Sequence, residues 1–354
     1  MAAQITSVDD VLNITVGDPL AGTVAANKVT KDGYHKLVAL QNVTSYSVQE
    51  VLHACPRKFQ LKKMQADAGT MQYSNSPTFA FGHSVGAGVA VYDSTQDLDQ
   101  AVWAAFLAWD IDLLEIEMKG TRKTGKSFHE AIWALYAWRE FYAEETDLSD
   151  YEVVNIEATI AVDFEDGHFY MGHIDEVLRH KDFGTYRIKE NKTTGLLNVD
   201  PAMYSNSDQA LSYAIVVDML GGGEYEVLYT IYSSASQSWM QYSFIKGANS
   251  KAEWVQDQLL LHQQQNDYAA LNFFPKRGRS CMNFMRRCEF YETCGLSTKA
   301  VFGKNFKDLQ QCESLDDLRK IEHIDYATTV SEIVGRQQQL LSPTQAILGT
   351  LGDM

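Results

Sequence analysis

The chain has 354 residues, of which 45% are hydrophobic and 21% charged, and its formal net charge is −16. This composition is typical of a folded globular protein and excludes a disordered one. The acidic balance argues mildly against a nucleic-acid partner, although the distribution of charge counts for more than its sum. Because no apolar run approaches the roughly 20 residues that span a bilayer and no signal peptide is recognisable, the sequence predicts a cytoplasmic protein without membrane contact.

The first half of the chain is predicted to be mainly helical. Residues 1–44 give weak signals and are treated as an N-terminal extension. A capping box at Ser47 and Glu50 predicts a helix that runs through Cys55 to about Met64. Residues 79–92, which are apolar and rich in small residues, are predicted to form a buried, closely packed helix. Apolar periodicity predicts two amphipathic helices, at residues 97–117 and 127–142.

The character of the chain changes near residue 150. Runs rich in Val, Ile and Tyr predict five strands, at residues 151–162, 168–178, 186–192, 224–233 and 239–245. Helices are predicted between and after the last strands, at 207–220 and 252–265. The remaining residues, 296–354, are predicted to form a polar helical tail. One mixed α/β domain, over residues 45–295, fits this order better than two separate domains.

One pattern points to a different class of protein. The stretch G-T-R-K-T-G-K-S (120–127) fits the P-loop of nucleotide-binding proteins. A P-loop follows a buried strand, but the residues before it have the pattern of an amphipathic helix. A basic loop between two helices is therefore the preferred interpretation, and ATP binding is the alternative.

Two of the predicted strands are separated by an obvious turn, K-D-F-G (181–184). If they form a hairpin about this turn, His180 pairs with Thr185 and Asp175 lies opposite Glu190. Side chains alternate between the two faces of a strand, so Lys192 shares a face with Glu190. The register thus predicts two carboxylates about 5 Å apart, with a lysine one pleat away.

Such a pair of carboxylates requires a compensating positive charge. Like charges directly opposed destabilise a sheet, and a divalent cation would offset them. Oxygen-only ligands suit Mg²⁺ or Mn²⁺, and Lys192 could then orient a water or stabilise charge on a phosphate. The alternative is an exposed hairpin with ordinary salt bridges, and spacing alone does not exclude it.

The order of these motifs resembles the PD-(D/E)XK nuclease superfamily, in its RecB-like exonuclease branch. That branch has a Gly-x-x-Asp strand followed by Asp/Glu-x-Lys and Thr-Gly. Here G-H-I-D-E-V (172–177) precedes E-N-K-T-T-G (190–195). The resemblance implies a restriction-endonuclease-like α/β core, a mixed sheet flanked by helices, with helical additions at both ends. It also implies that Asp175 and Glu190 bind the metal and that Lys192 assists catalysis.

The resemblance extends to four more positions. The family's Gln-x-x-x-Tyr matches Gln209 and Tyr213, which a spacing of four places on one helix face. Glu157 matches a strand glutamate that could support the metal or Lys192, and it could equally be an ordinary strand residue. His83 lies one turn before the place of the family's metal-binding histidine, which Gly86 occupies here. His83 is therefore either a metal ligand or a packed helix histidine, and packing is slightly preferred.

The cysteines also resemble those of some RecB-like nucleases, including the CRISPR-adaptation exonucleases, which hold a 4Fe–4S cluster. Cys55 precedes the core, Cys281, Cys288 and Cys294 follow it, and Cys312 is left over. The resemblance implies an iron–sulfur cluster that joins the two ends of the domain. The first interval of the triplet is longer than usual in the family, so zinc and free thiols stay alternatives.

Local basic clusters could contact DNA despite the acidic net charge. They lie in residues 55–63, 119–126 and 276–287. Phe284, Phe290 and Tyr291 could stack on single-stranded bases, although core packing is at least as good an explanation.

The resemblance as a whole implies a metal-dependent deoxyribonuclease, specifically an exonuclease acting at DNA ends. Without helicase motifs, the chain is similar to stand-alone nucleases of phage and mobile-element recombination and repair. This similarity also implies a single-strand annealing or single-strand-binding protein as partner, in the host cytoplasm if a phage encodes the chain. The alternative is a catalytically inactive DNA-binding or assembly module with the same fold.

Overall fold

The computed structural model describes residues 31–71, 76–109, 113, 125–205, 207–219, 226–283 and 286–339. These residues divide into two compact units. The first contains the described residues of Tyr73–Ala158 and His173–Gly247, and the second contains those of Val29–Gln72, Thr159–Gly172 and Ala248–Met354.

The helices and strands follow one another along the chain. They are α1 (Lys31–Ala39), β1 (Val43–Thr44), α2 (Tyr46–Ala54), α3 (Pro56–Asp67), α4 (Pro77–Thr95), α5 (Leu98–Ala108), α6 (Phe128–Glu145), β2 (Tyr151–Asp163), β3 (Phe169–His180), β4 (Tyr186–Thr194), α7 (Ala202–Ser205), α8 (Asp208–Met219), β5 (Glu226–Ser233), β6 (Ser238–Ile245), α9 (Ala248–Ala270), β7 (Met282–Asn283), β8 (Arg286–Arg287), α10 (Thr298–Phe302), α11 (Leu315–Arg319) and β9 (Tyr326–Thr329).

The first unit is built on a mixed sheet with strand order β6-β5-β4-β3-β2. Strands β3 and β4 form an antiparallel hairpin, and its turn is closed by a hydrogen bond from His180 N to Thr185 O at 2.8 Å. Gly184 occupies this turn at φ +67°, a conformation that glycine adopts without strain. Strands β4 and β5 are parallel and are connected through α8, as parallel pairing requires a crossover. The predicted mixed α/β core is confirmed.

Small residues let α4 pack closely against its neighbouring helices. A Cβ atom on Gly88 would lie 2.6 Å from Leu135 Cδ1 and 3.0 Å from the carbonyl oxygen of Ala101. On α5, Ala101, Ala104 and Ala105 are fully buried. Because so little space is left, a side chain at position 88 would displace the Leu135 side chain and crowd the backbone of α5 at Ala101.

The second unit adds strands at the ends of β2 and β3. Strand β1 pairs in parallel with the start of β3, and β9 pairs in parallel with β2 from Ile160 and Tyr326 onwards. The sequence predicts only helix in the C-terminal segment. Helices α10 and α11 are present there, but β9 is a strand that the prediction missed, because its partner lies far away along the chain.

The helix predicted around Cys55 is divided in two. Helix α2 ends at Ala54 and α3 begins at Pro56, while Cys55 is extended at φ −162° and ψ 103°. Proline lacks an N–H and disfavours helical geometry in the residue before it. The N-cap residue of α2 is Ser45, which makes no side-chain capping hydrogen bond. The prediction of one continuous helix with a capping box at Ser47 is therefore wrong.

Among the described residues, no helix is both long and apolar enough to cross a membrane. The basic loop at 119–126 and the P-loop pattern are described only from Gly125 onwards, so both predictions lie largely outside the described residues.

Candidate active site

The β3–β4 hairpin sets two carboxylates against each other. The paired residues end at Glu176 and Lys189, and one further step in the same register joins Asp175 and Glu190. The backbone N–H of Asn191 donates to Asp175 Oδ2 at 2.7 Å, and Asp175 N lies 3.5 Å from Glu190 Oε1. The register predicted from the K-D-F-G turn is confirmed.

Lys192 lies on the same face of β4 as Glu190. Its Nζ atom is 2.7 Å from Glu190 Oε2. The Glu190 side chain is fully buried, whereas the Lys192 side chain is 28% exposed. The ammonium group therefore has access to solvent while it pairs with a buried carboxylate.

The pKa values of Asp175, Glu190 and Lys192 show that this site holds more negative charge than one lysine neutralises. Burial, followed by repulsion from Asp175, raises the pKa of Glu190 to about 7 even though Lys192 opposes the shift. Burial likewise raises the pKa of Asp175. Burial opposes charge on Lys192, but the attraction of Glu190 and Asp175 outweighs it and raises the pKa of this lysine. One lysine does not neutralise the carboxylates, and a divalent cation would supply the missing charge.

Glu157 contributes a third carboxylate from β2. Its φ of +54° is unusual for a residue other than glycine, and it is exposed between the buried Ile156 and Ala158. A left-handed residue of this kind interrupts the alternation of a strand and redirects the side chain. The side chain reaches solvent, yet loss of hydration and then repulsion from Asp175 and Glu190 raise the pKa of Glu157.

Gln209 and Tyr213 share one face of α8, as their spacing predicts. Gln209 Nε2 donates to the Tyr213 hydroxyl at 2.9 Å, and that hydroxyl donates to the carbonyl oxygen of His173 at 2.6 Å. Tyr213 is only 3% exposed. The pair thus fixes α8 to β3 two residues before Asp175.

Comparison with known proteins identifies this arrangement. The model of the PD-(D/E)XK nuclease superfamily matches residues 43–295. The chain belongs to this superfamily.

Two solved structures resemble the nuclease weakly. One is described as "Putative exonuclease" from Eubacterium rectale, with 14% identity, a TM-score of 0.41, and coverage of 82% of this chain and 98% of the other. The second, SSO0001, has 11% identity, a TM-score of 0.24, and coverage of 58% of this chain and 85% of the other. No curated protein matches the chain. The family assignment therefore rests on the superfamily model.

His83 is exposed on α4 of the nuclease. The adjacent Gly82 faces β4, since a Cβ atom there would lie 3.6 Å from Thr193 Oγ1. Helix α4 thus passes β4 one residue after Lys192. An exposed residue does not fit the interpretation of His83 as a packed helix histidine, and its role as a metal ligand stays a prediction.

A buried ionic network lies on the other face of β4, and the sequence analysis missed it. Lys189 Nζ is 2.6 Å from Asp93 Oδ2 and 2.5 Å from Glu176 Oε1. The same ammonium lies 4.9 Å from the ring centroid of Trp138, whose Nε1 donates to Asp93 Oδ1 at 2.7 Å. Asn191 Nδ2 donates to Glu176 Oε1 at 2.8 Å. The network joins β4, β3, α4 and α6 behind the carboxylates.

The charges of this network do not balance. Burial raises the pKa of Asp93 to about 7, against the opposing attraction of Lys189. The side chains of Lys189 and Glu176 are fully buried, and that of Asp93 is 4% exposed. The only sequence signal was alternation, which places a charged Lys189 on the face of β4 opposite Glu190. Its partner Asp93 lies 96 residues away and could not be identified.

The segments that carry the cysteines contact each other within the second unit. The Arg57 guanidinium donates to the carbonyl oxygen of Cys294 at 3.3 Å, and Ser280 Oγ donates to that of Ala54 at 2.6 Å. Cys55 directly follows Ala54 and lies two residues before Arg57, so it lies in the same neighbourhood as the cysteine triplet. All five cysteines are free thiols in this structure.

The thiols do not form a closed metal centre. In the part of the chain that the structure describes, Asp166, His168 and His262 form the single group of three His, Cys, Asp or Glu residues whose ligand atoms lie within 4.8 Å of one another. Tetrahedral zinc with bonds of about 2.3 Å would hold its sulfur atoms about 3.8 Å apart. The structure does not support the zinc alternative, and it gives no support to the iron–sulfur prediction.

Part of the predicted DNA-contacting surface is buried. Arg57 is 9% exposed and Phe290 is 7% exposed, so neither is available to nucleic acid. Tyr291 is 51% exposed, and Phe284 lies outside the described residues. The basic residues of the 276–287 segment are exposed, namely Lys276, Arg277, Arg279, Arg286 and Arg287.

Proposed function

We propose that this nuclease hydrolyses phosphodiester bonds of DNA with Mg²⁺ or Mn²⁺ held by Asp175 and Glu190. The observation that carries the proposal is the hairpin register, which sets these carboxylates opposite each other beside Lys192. The donor set suits the metal, since hard divalent cations prefer oxygen ligands and the excess of acidic groups attracts positive charge. His83 is a further candidate ligand.

The bound metal would supply Lewis acidity and a template for the scissile phosphate. Lys192, which is partly exposed, would orient the attacking water and stabilise negative charge developing on the phosphate. Glu157 would support the metal or Lys192 from β2. Gln209 and Tyr213 would position the DNA strand and hold β3 in place through the bond to His173.

The proposed substrate is a DNA end, single- or double-stranded, and the proposed mode is exonucleolytic. The exposed basic residues of the 276–287 segment are candidates for phosphate contacts, which depend on Lys and Arg. Phage or mobile-element recombination, with a single-strand annealing or single-strand-binding partner, is the proposed setting.

A structural cofactor and the domain boundaries are further proposals from the resemblance. The domain would extend over 45–295, after an extension at 1–44 and before a tail at 296–354. The Arg57 guanidinium donates to the carbonyl oxygen of Cys294, so the segments of Cys55 and Cys294 are neighbours. Broad visible absorption of protein purified without oxygen would establish an iron–sulfur cluster, and a colourless preparation would exclude it.

The test uses end-labelled linear DNA with Mg²⁺ or Mn²⁺. Wild type, Glu190→Ala and Lys192→Ala are compared with Lys299→Ala, which changes an exposed lysine in the second unit. We expect wild type and Lys299→Ala to degrade the DNA and the two site variants to bind it without degradation. Equal degradation by all four would exclude this site. DNA binding without degradation by any protein would favour the inactive DNA-binding module.

A further inference from the structure

Tyr204, on the short helix α7, lies on the face of the sheet that carries the proposed metal site. In the parallel pairing of β4 and β5, Glu190 is the partner of Tyr229. Partnered residues of neighbouring strands point to the same face, so the Tyr229 side chain lies beside Glu190. The Tyr204 ring packs against the Tyr229 ring, with centroids 4.9 Å apart and an interplanar angle of 38°. Tyr204 is therefore one ring away from a direct neighbour of Glu190.

The Tyr204 side chain also lies within the electrostatic reach of Lys192. Burial raises the pKa of Tyr204, while the positive charge of Lys192 acts in the opposite direction. Because an ordinary tyrosine has a pKa of about 10, this hydroxyl keeps its proton at neutral pH and can donate it. The Lys192 ammonium donates one hydrogen bond to Glu190 and has further N–H groups to offer. Both side chains thus present donors on the face that carries Glu190.

The fold itself does not use the Tyr204 hydroxyl. This group makes no hydrogen bond to any residue in the part of the chain that the structure describes. Tyr204 is half-buried, whereas Tyr229 beneath it is fully buried and has no surface to offer a substrate. A hydroxyl without a protein partner is open to water or to a ligand that accepts a hydrogen bond.

Contacts on both sides of Tyr204 hold it in place before a substrate binds. Its own backbone N–H donates to the carbonyl oxygen of Pro201 at 3.0 Å. The ammonium of Lys246, a residue that is 3% exposed, donates to the carbonyl oxygen of Ser205. These contacts join α7 to the end of β6. A donor that is positioned in advance stabilises developing charge without a cost of reorganisation.

We propose that Tyr204 is a catalytic residue of this nuclease, whose hydroxyl donates a hydrogen bond to a non-bridging oxygen of the scissile phosphate. Negative charge is carried by these oxygens during attack by water, and a neutral donor next to a lysine stabilises it. Tyr204 forms no covalent bond and transfers no proton. The inference rests on the proposed function, since it adds a second donor beside Lys192. The competing explanation is that Tyr204 only covers Tyr229.

Tyr204→Phe distinguishes the two explanations, because it removes the hydroxyl and keeps the ring that packs against Tyr229. Its kcat for cleavage of end-labelled linear DNA with Mn²⁺ should fall by roughly 10- to 100-fold, the size expected for one hydrogen bond to a charged group. Mn²⁺ affinity and melting temperature should equal those of wild type. Tyr136→Phe makes the same change at an exposed tyrosine of α6 and should leave cleavage unchanged.

Sulfur substitution in the DNA tests the contact itself. A phosphorothioate linkage replaces one non-bridging oxygen with sulfur, which is a weaker hydrogen-bond acceptor. On one of the two diastereomers, the loss caused by Tyr204→Phe should be much smaller than on unmodified DNA. Wild-type cleavage of unmodified DNA by Tyr204→Phe, or an equal loss on every DNA that is cleaved, would overturn the proposal and leave a packing role.

Binding without cleavage separates this proposal from the proposed function. With Ca²⁺ in place of Mn²⁺, fluorescence anisotropy of a labelled single-stranded oligonucleotide measures the affinity of each protein. Tyr204→Phe should bind roughly 3-fold or more weakly than wild type and Tyr136→Phe. If wild type does not cleave DNA, the proposed function fails and affinity alone decides. Equal affinity of Tyr204→Phe and wild type would then overturn the phosphate contact as well, and weaker binding would support it.

Discussion

Lys189 lies at the centre of the ionic network behind the proposed active site, and Lys189→Met tests its importance. The change keeps an unbranched side chain of similar length but leaves Asp93 and Glu176 buried without the ammonium that lies 2.6 and 2.5 Å from them. Removing one partner of a buried ion pair costs roughly 3–5 kcal/mol. Loss of the contact with Trp138, at 4.9 Å, adds to this effect.

The pKa of Asp93 limits the size of the loss. Because this pKa is already about 7, a proton can replace the missing cation below neutral pH. We therefore expect Lys189→Met to lower the free energy of unfolding by about 3 kcal/mol at pH 6 and by more at pH 8. For a cooperative unit of this size, the melting temperature would fall by roughly 10 °C.

Urea unfolding, followed by tryptophan fluorescence and circular dichroism, measures this loss. Lys299→Met is the matched control, since the same change at an exposed position should alter stability by less than about 0.5 kcal/mol. Adding Asp93→Asn to Lys189→Met should restore part of the stability, because one uncompensated carboxylate is removed. A loss below about 1 kcal/mol, or strictly additive effects in the double variant, would refute the reasoning.

Three further changes have defined outcomes. Burial raises the pKa of Glu322 to about 8 from an ordinary 4.5, so the free energy of unfolding of wild type falls as the pH rises between these values. In urea titrations, the stability of Glu322→Gln relative to wild type should therefore increase by on the order of 4 kcal/mol over this range. A stability difference that is independent of pH would contradict the assignment. Tyr213→Phe removes the hydroxyl that bonds to Gln209 and to His173. It should lower the free energy of unfolding by roughly 1 kcal/mol in chemical unfolding and remove part of the DNA-cleavage activity. Unchanged stability and unchanged cleavage would exclude a positioning role. Gly88→Ala should lower the free energy of unfolding by roughly 1–3 kcal/mol, measured by thermal unfolding, because of the crowding at Leu135. The control Gly86→Ala lies in the same helix, where a Cβ atom meets no atom within 4 Å, and should raise the free energy of unfolding by up to about 1 kcal/mol. Equal effects of the two changes would refute the packing argument.

The strands and the hairpin register could be predicted because their signals are local. Alternation of side chains and a four-residue turn were enough to set Asp175 opposite Glu190. The spacing of Gln209 and Tyr213 was similarly informative, because residues four apart meet on any helix. The sequence could not predict the second hydrogen bond of Tyr213, which its hydroxyl donates to the carbonyl oxygen of His173 on β3.

The features that were missed depend on contacts between distant residues. Strand β9 has only four residues and is defined by its pairing with β2. The partners Lys189 and Asp93, like His262 and Asp166, are 96 residues apart. At Cys55 the error was different, because the following proline is a local signal that ends a helix and it was overlooked.

The central claim is that Asp175 and Glu190 hold the metal that hydrolysis of DNA requires. The most direct test measures Mn²⁺ binding by electron paramagnetic resonance and DNA cleavage on the same preparations of wild type and Glu190→Gln. Glutamine preserves the shape of Glu190 and removes its charge, while the network of Lys189 on the other face of β4 is unchanged. We predict that both Mn²⁺ affinity and cleavage fall together, by more than the roughly 10–100-fold that loss of a supporting residue costs. Wild-type affinity and cleavage in Glu190→Gln would contradict the assignment of the site.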